Sequence, residues 1–288
     1  MIAIVANPNA LRFDIKKIYK IKELLESNNI GTDIFFTHKA KDGTKITKII
    51  KNRYDIIAGY GGDGIINEII QELAFSKSAL GILPAGTTNV LSLNLKIPQN
   101  AYEAAKLFIK PKISVASLGN INNKKFILMA GVGFDAEAVF SVNEKIKKHF
   151  GKLSYILSGT KSYFLNIHKN YSIKLRVGNN MYESAWIIIG NAKKYAGNFS
   201  ISNRVDIDSE KLDVYISGVS NRIFGIVFLL ADLVFRLKGL LGMSKHIITD
   251  NEIYIMTPDI PIQTDGDFAG FTPAKVQIIK SCINVVVK

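Results

Sequence analysis

Tyr54–Ile70 reads YDIIAGYGGDGIINEII, and the fold follows from how that stretch is parsed. Asp55 to Ala58 reads as an apolar strand, the glycines at 59, 61, 62 and 64 as a turn, and the remainder as an amphipathic helix. Such glycines let the backbone take positive φ and let a bulky anion come close to peptide N–H groups. The helix that follows points its unpaired N–H groups and positive dipole end at the same place, so phosphate is the natural ligand. Asp63 sits inside the turn, where it would repel a naked phosphate. It suits a site that also holds a metal ion or a hydroxyl to be activated. A plain glycine-rich strand-to-helix turn with no ligand is the alternative at this point.

Outward from that turn, the first third of the chain alternates strand and helix. Ile2–Ala6 is an apolar strand that opens into the turn Asn7-Pro8-Asn9-Ala10. Ile15, Ile18, Ile21, Leu24 and Leu25 have helical spacing, Thr32–Thr37 is a strand, Thr44–Asn52 is helical and Ala79–Leu83 is a strand. Pro84-Ala85-Gly86-Thr87-Thr88-Asn89 is a second polar, glycine-bearing loop at a strand end, and Pro98–Lys110 gives a last helix. Repeated β–α–β units with short loops imply a doubly wound parallel sheet, whose ligands gather at the carboxyl ends of the strands. Asn7–Ala10, Thr37–Ala40, Gly59–Gly64 and Pro84–Asn89 all fall at that edge, the pattern of one shared site.

Pro111 breaks the rhythm. From about Ile113 the chain reads as strands separated by turns: Ile113–Leu118, Lys125–Gly131, Tyr171–Val177, Tyr182–Gly190, Lys211–Ile216, Glu252–Met256, Pro261–Thr264, Lys275–Ile279 and Ile283–Val287. Helices are expected near 152–168 and 222–241. The implied organisation is an α/β domain over residues 1–112 and a β-rich domain over 113–288, with residues 282–288 free to pack back on the first. Asp265-Gly266-Asp267 has the composition of a type I′ hairpin turn.

With 288 residues, 48% hydrophobic and 21% charged, the composition is globular. Thirty-seven Lys and Arg against 24 Asp and Glu give a formal charge of +13, which favours an anionic partner. The basic residues are spread out, with only short clusters such as Lys124-Lys125 and Lys145, Lys147 and Lys148. That disfavours a nucleic-acid arm and favours a membrane surface or phosphates. Cys282 is the only cysteine, so an intrachain disulfide and a cysteine metal cluster are excluded. His38, His149, His168 and His246 show no ligand spacing. The sequence opens directly into a strand with no basic n-region, and its most lipophilic run, Ile223–Ala231, is far short of the ~20 residues that span a bilayer. A cytoplasmic, peripherally membrane-associated protein is expected.

Read together, these residues resemble the diacylglycerol kinase catalytic-domain family, which includes bacterial lipid kinases and is related to the sphingosine kinases. The elements that carry the resemblance come in family order along nearly the whole chain. They are Asn7-Pro8, Gly61-Gly62-Asp63-Gly64 with Asn67-Glu68, Pro84-Ala85-Gly86-Thr87-Thr88-Asn89, Gly131-Val132-Gly133-Phe134-Asp135, Tyr195-Ala196-Gly197, the acidic segment Asp206–Asp213, and Thr264-Asp265-Gly266-Asp267. The Gly-Gly-Asp-Gly turn is shared with NAD kinases and phosphofructokinases; the Pro-x-Gly-Thr-x-Asn loop and the late Asp-Gly-Asp point to the lipid-kinase branch. The resemblance implies an N-terminal nucleotide-binding α/β domain of the NAD kinase and lipid kinase type, a C-terminal β-sandwich, and an active site in the cleft.

It also implies roles. Asn7, Pro8, Thr37, Gly61, Gly62, Asp63, Gly64, Asn67, Glu68, Gly86, Thr87 and Asn89 would contact the nucleotide, ATP, accompanied by Mg²⁺. Asp265, then Asp267, then Asp63 would be the carboxylates that take the acceptor's hydroxyl proton. Asp206, Asp208 and Asp213 fall where bacterial relatives hold a structural metal, although Ser209 and Glu210 replace the usual Asp and Gly. Ile65 stands where the family commonly has Thr, and Ala10-Leu11 where it has glycine; both departures should weaken phosphate contacts. The implied activity is transfer of the γ-phosphate to a lipid hydroxyl, foremost diacylglycerol giving phosphatidate. A sphingoid base or other lipid is the alternative acceptor, and a catalytically weak lipid- or nucleotide-binding protein the alternative class. The partners are a lipid substrate and an anionic membrane surface. Oligomeric state is open, since an exposed strand edge in the second domain could pair two copies into a homodimer.

Overall fold

The computed structural model describes residues 1–134, 136–137, 171–196, 199–200, 202, 204–217 and 244–288. The expected helices over 152–168 and 222–241 lie outside the described residues, as do Asp135, Lys145, Lys147, Lys148, His149, His168 and Gly197. The chain forms two compact units: Met1–Leu118 with Ala196 and Lys280–Lys288, and Gly119–Tyr195 with Phe199–Ile279.

The first unit runs β1 (Ile2–Ala6), α1 (Ile15–Glu26), β2 (Thr32–Phe36), α2 (Asp42–Ile50), β3 (Ile56–Gly61), α3 (Asp63–Leu73), β4 (Ala79–Pro84), α4 (Val90–Asn94) and α5 (Ala101–Ala105). A 3₁₀ turn, Lys106–Phe108, and β5 (Lys112–Ile121) follow. Strands pair in parallel in the order β2-β1-β3-β4, and the C-terminal residues Asn284 and Val285 add a further parallel strand beside Ala79 and Leu80. β1, β3 and β4 are buried along their whole length, as strands covered on both faces must be. The Asp14 side chain caps α1 by accepting from the Lys16 and Lys17 N–H groups, and Ile18, Ile21 and Leu25 form the buried face. Two elements differ from the sequence reading. Asn100 caps the Tyr102 N–H, so the last helix starts at Ala101 and is short. α4 has five residues, too few for a helical period to declare itself.

The second unit continues with β6 (Lys124–Phe126), β7 (Met129–Val132), β8 (Ile173–Val177), β9 (Asn180–Ser184), β10 (Ile187–Gly190), β11 (Lys194–Ala196), β12 (Phe199–Ser200) and β13 (Leu212–Ser217). β14 (Ser244–Thr249), β15 (Ile253–Ile255), β16 (Pro261–Thr264), β17 (Asp267–Phe271) and β18 (Ala274–Val287) complete it. One antiparallel sheet has the order β14-β13-β10-β7-β16-β17. The other runs from the start of β18 through β15 and β8 to β9. Their inner faces share one core that includes Val132, Leu175, Ile189, Val214, Ile255 and Ile262. This is a β-sandwich, as the resemblance implies.

The strand bounds are corrected in three places. Lys125–Gly131 is two strands, because the Ile127 and Leu128 N–H groups turn to a side chain instead of a ladder. Tyr182–Gly190 is also two, broken where Ser184 donates its hydroxyl to the Trp186 carbonyl. The last two expected strands are one, β18. Among the described residues, no helix is long and apolar enough to cross a membrane.

Candidate functional site

At the carboxyl ends of β1, β3 and β4, three loops are tied together through backbone bonds. Asn7 N donates to the Tyr60 carbonyl at 3.0 Å, Arg12 N to Ala85 at 2.9 Å and Ala85 N to Gly61 at 2.7 Å. Thr37 joins the edge by giving its N–H to the Ala6 carbonyl at 2.9 Å. Asn7 shapes its own turn, its side-chain carbonyl accepting the Asn9 N–H at 3.0 Å, with Pro8 exposed between them.

The two glycine loops meet backbone to backbone. A Cβ on Gly86 would lie 2.4 Å from the Gly62 Cα, and one on Gly62 would lie 3.2 Å from the Gly86 Cα. Asn89 holds this approach: its carbonyl oxygen accepts the Gly86 N–H and its amide donates to the Gly86 carbonyl, at 3.0 and 3.1 Å. Directly above, α3 begins with Gly62 as N-cap, which has no side chain to offer the first-turn N–H groups. Gly64 is exposed, and a Cβ there would meet nothing within 4 Å. The helix therefore presents uncapped donors beside open space, which is what an incoming phosphate requires. The Thr88 hydroxyl is buried with no hydrogen-bond partner among the described residues. Thr88 lies inside the Pro84–Asn89 motif, and nothing in its spacing marks it out from Thr87.

Other side chains expected here have protein partners. Asp63 is buried, and its Oδ1 accepts the Leu91 N–H at 3.3 Å, joining α3 to α4. Asn67 is buried and its Oδ1 accepts from Gln71. Both oxygens of Glu68 accept backbone N–H groups at the start of α2, from Lys41 at 2.9 Å and Gly43 at 2.8 Å. Glu68 is thus a cap for a neighbouring helix. Ile65 is 4% exposed and lies against β3, its Cγ2 2.8 Å from where a Gly61 Cβ would stand. Its side chain packs into the sheet, so the hydrocarbon fills core space at this position.

In the second unit, Asp265 and Gly266 form the two-residue turn between β16 and β17, with φ of 49° and 84° and Thr264 opposite Asp267. Asp265 is 4% exposed. Its Oδ1 accepts from Leu128 and Met129 N–H and its Oδ2 from Ile127 N–H, each at 2.9 Å. Asp267 follows at the start of β17 and is partly exposed. The Thr264 hydroxyl beneath the turn is buried with no hydrogen-bond partner among the described residues.

The acidic segment is arranged differently from a metal cage. Lys193 Nζ pairs with Asp206 Oδ2 at 2.8 Å, and Asp206 is the main reason the Lys193 pKa is raised. Asp213 is buried against His246 Nδ1 at 3.0 Å, while Asp208 is exposed. Glu210 adopts φ of 49°, a left-handed conformation that glycine takes without strain. Among the described residues, no group of three or more His, Cys, Asp and Glu is placed to hold a metal ion.

Residues 1–121 match the family model of the diacylglycerol kinase catalytic domain. The diacylglycerol kinase of Bacillus subtilis (strain 168) is 26% identical, the alignment covering 98% of this chain and 95% of that one. That of Staphylococcus haemolyticus (strain JCSC1435) is 25% identical over 91% of this chain and 80% of its own. A solved diacylglycerol kinase structure from Bacillus anthracis str. Sterne, 22% identical, covers 100% of this chain and 96% of its own with a TM-score of 0.77. A second solved chain from that organism, 24% identical with the same coverage, gives 0.83. The chain is similar to diacylglycerol kinases along nearly its whole length, and its residues 1–121 match the model of their catalytic domain.

Proposed function

We propose that this protein is a lipid kinase that transfers the γ-phosphate of ATP to a lipid hydroxyl, with diacylglycerol as the foremost acceptor and phosphatidate as product. The observation that carries the reading is the phosphate cradle of the first unit: the Gly62–Gly86 approach, the uncapped start of α3 and the open space over Gly64. Gly62, Gly64, Gly86 and Thr88 would hold the nucleotide phosphates, with Asn7, Thr37 and Thr87 along the same edge. Asn89 and Asn67 would keep those groups in place from behind.

Mg²⁺ fits this edge as an ion carried by the phosphates, because it keeps several waters and needs one or two carboxylates at most. Asp63 is the carboxylate of the cradle that could serve it. Bound there, Mg²⁺ supplies positive charge that offsets the negative charge of the transferring group. The Asp206–Asp213 segment does not suit a metal, since Asp206 is paired with Lys193 and Asp213 is hydrogen-bonded to the His246 ring.

On the acceptor side, the reading needs a carboxylate to take the hydroxyl proton. Asp265 would do so, held rigid by three N–H bonds, with Asp267 one turn residue away as second candidate. General base catalysis contributes about 10²- to 10⁴-fold. Asp267→Asn and Asp265→Asn are therefore expected to differ. The variant that removes the base loses turnover by that factor with nucleotide affinity intact.

The deciding experiment incubates the protein with γ-labelled ATP, Mg²⁺ and extracted lipids and separates the products by chromatography. Label in phosphatidate supports the proposal. Label in a phosphorylated sphingoid base or another lipid changes the acceptor, and nucleotide binding with no labelled lipid overturns the kinase reading.

A further inference from the structure

The loop from Asn7 to Asp14, NPNALRFD, carries no glycine and buries little of itself: Pro8, Asn9, Leu11, Arg12 and Asp14 are exposed. Burial therefore does little to fix its path, yet one residue holds it at both ends. Tyr60, on β3, accepts the Asn7 N–H on its carbonyl at 3.0 Å. Its hydroxyl accepts the Asp14 N–H at 3.2 Å and donates to the Asp14 carbonyl at 3.3 Å. Between those ends the Phe13 ring lies 5.6 Å from the Tyr60 ring and meets Phe36 edge-on at 6.4 Å. Tyr60 is wholly buried, so the core sets its position and the loop follows. Gly61 and Gly62 come next in the chain; Gly61 accepts the Ala85 N–H, and Gly62 is the glycine that Gly86 approaches. One side chain thus joins the first loop to the strand that carries the phosphate cradle. Phenylalanine at this position would fill the same core space and lose only the bonds to Asp14.

We propose that Tyr60 is a positioning residue for the nucleotide: it holds the Asn7–Asp14 loop, before any ligand arrives, in the arrangement that meets the phosphates. The proposal rests on the nucleotide reading of the cradle and adds the residue that preorganises its neighbouring loop. A loop ordered in advance has no ordering left to do when ligand binds. Where only a fraction of the molecules has the competent arrangement, apparent affinity falls by that fraction. One hydrogen bond shifts such an equilibrium by roughly two- to tenfold, so loss of the hydroxyl should weaken ATP binding about three- to tenfold. A purely structural tyrosine is the alternative; it would support the fold and leave the ligand indifferent.

The test is calorimetric titration of the full chain with ATP and Mg²⁺, alongside urea midpoints and amide hydrogen exchange, for the wild type, Tyr60→Phe, Phe13→Ala and Ile21→Val. Ile21 is buried in α1, about two turns beyond Asp14, and its variant lowers stability through a small cavity alone. Tyr60→Phe and Phe13→Ala are expected to bind ATP about three- to tenfold more weakly, with faster exchange across residues 9–14 that bound ATP slows again. Ile21→Val is expected to bind ATP as the wild type does, at a lowered urea midpoint. With lipid acceptor present, Tyr60→Phe should raise the KM for ATP and keep the wild-type kcat. Wild-type ATP affinity in Tyr60→Phe overturns the proposal; should that variant not fold, wild-type affinity in Phe13→Ala does so instead. An equal fall in Ile21→Val also overturns it, because lost stability then accounts for the effect. A wild-type chain that binds no ATP sinks the nucleotide reading and the proposal with it, whereas equal binding by wild type and Tyr60→Phe sinks the positioning role alone.

Discussion

Ile65 carries most of the information at the scale of single residues. Its side chain fills the space over Gly61 and Gly59 in β3 and is 4% exposed. Ile65→Thr would remove a methyl group and bury a hydroxyl, which costs about 1–3 kcal/mol without a partner. We expect a lowered unfolding midpoint in urea and unchanged nucleotide affinity; a gain in affinity at equal stability would return this position to the phosphate site. The glycines divide the same way. Gly86→Ala should disrupt the cradle, because its Cβ would collide with the Gly62 Cα at 2.4 Å. Gly64→Ala should fold normally and weaken nucleotide binding, since only a ligand competes for that open space. Calorimetric titration with ATP against a urea midpoint separates the two outcomes. From the sequence, all four turn glycines look alike, and Ile65 reads as a missing hydroxyl. Which glycine faces protein and which faces ligand depends on a loop 22 residues later, a relation that spacing within the turn does not encode.

At the scale of elements, side chains on one element terminate or anchor another. Glu68 on α3 caps α2 through the Lys41 and Gly43 N–H groups, so Glu68→Gln should cost about 1 kcal/mol and Glu68→Ala more, seen as faster hydrogen exchange at the start of α2. A nucleotide role for Glu68 would appear instead as lost affinity at unchanged exchange. Tyr60, on β3, is fully buried, and its hydroxyl accepts from Asp14 N–H and donates to the Asp14 carbonyl. Burial, the largest cause, pushes its pKa above the ordinary tyrosine value, with the backbone bond to Asp14 opposing. The folded state thus holds this proton more tightly than the unfolded one. Stability from it is complete below pH about 10 and is lost as pH rises through the folded-state value. Tyr60→Phe should be less stable at neutral pH yet lose less stability between pH 9 and 11, followed by denaturant midpoints across that range. The parallel order of β1 to β4 is legible because each strand is a continuous apolar run between helices of clear period. The division of Lys125–Gly131 into β6 and β7 is not, because its cause is Asp265, 137 residues from Leu128.

At the scale of the whole molecule, the chain returns to its first unit at the end. Ile283, Val285 and Val286 are buried, Asn284 and Val285 pair with β4, and the Cys282 carbonyl accepts the Phe75 N–H at 2.6 Å. Apolar periodicity marks 283–287 as a strand; its partner is set by topology, since a parallel neighbour of β4 needs a long crossover connection, here about 200 residues of intervening chain. Burying three large aliphatic side chains contributes roughly 5–8 kcal/mol, which is comparable to the entire stability of an ordinary domain. Deleting 282–288 should therefore unfold the first unit and leave the sandwich core, none of whose residues lies in that segment, folded. The single tryptophan, Trp186, is buried in the second unit beside Tyr215 and reports on it alone. In the truncated protein we expect Trp186 emission to keep its folded wavelength while far-ultraviolet circular dichroism loses helical signal. Helices α1 to α5 all belong to the first unit, so loss of their signal accompanies its unfolding. A truncated protein whose fluorescence and dichroism melt together at the wild-type temperature would show that β4 does not depend on the C-terminal strand.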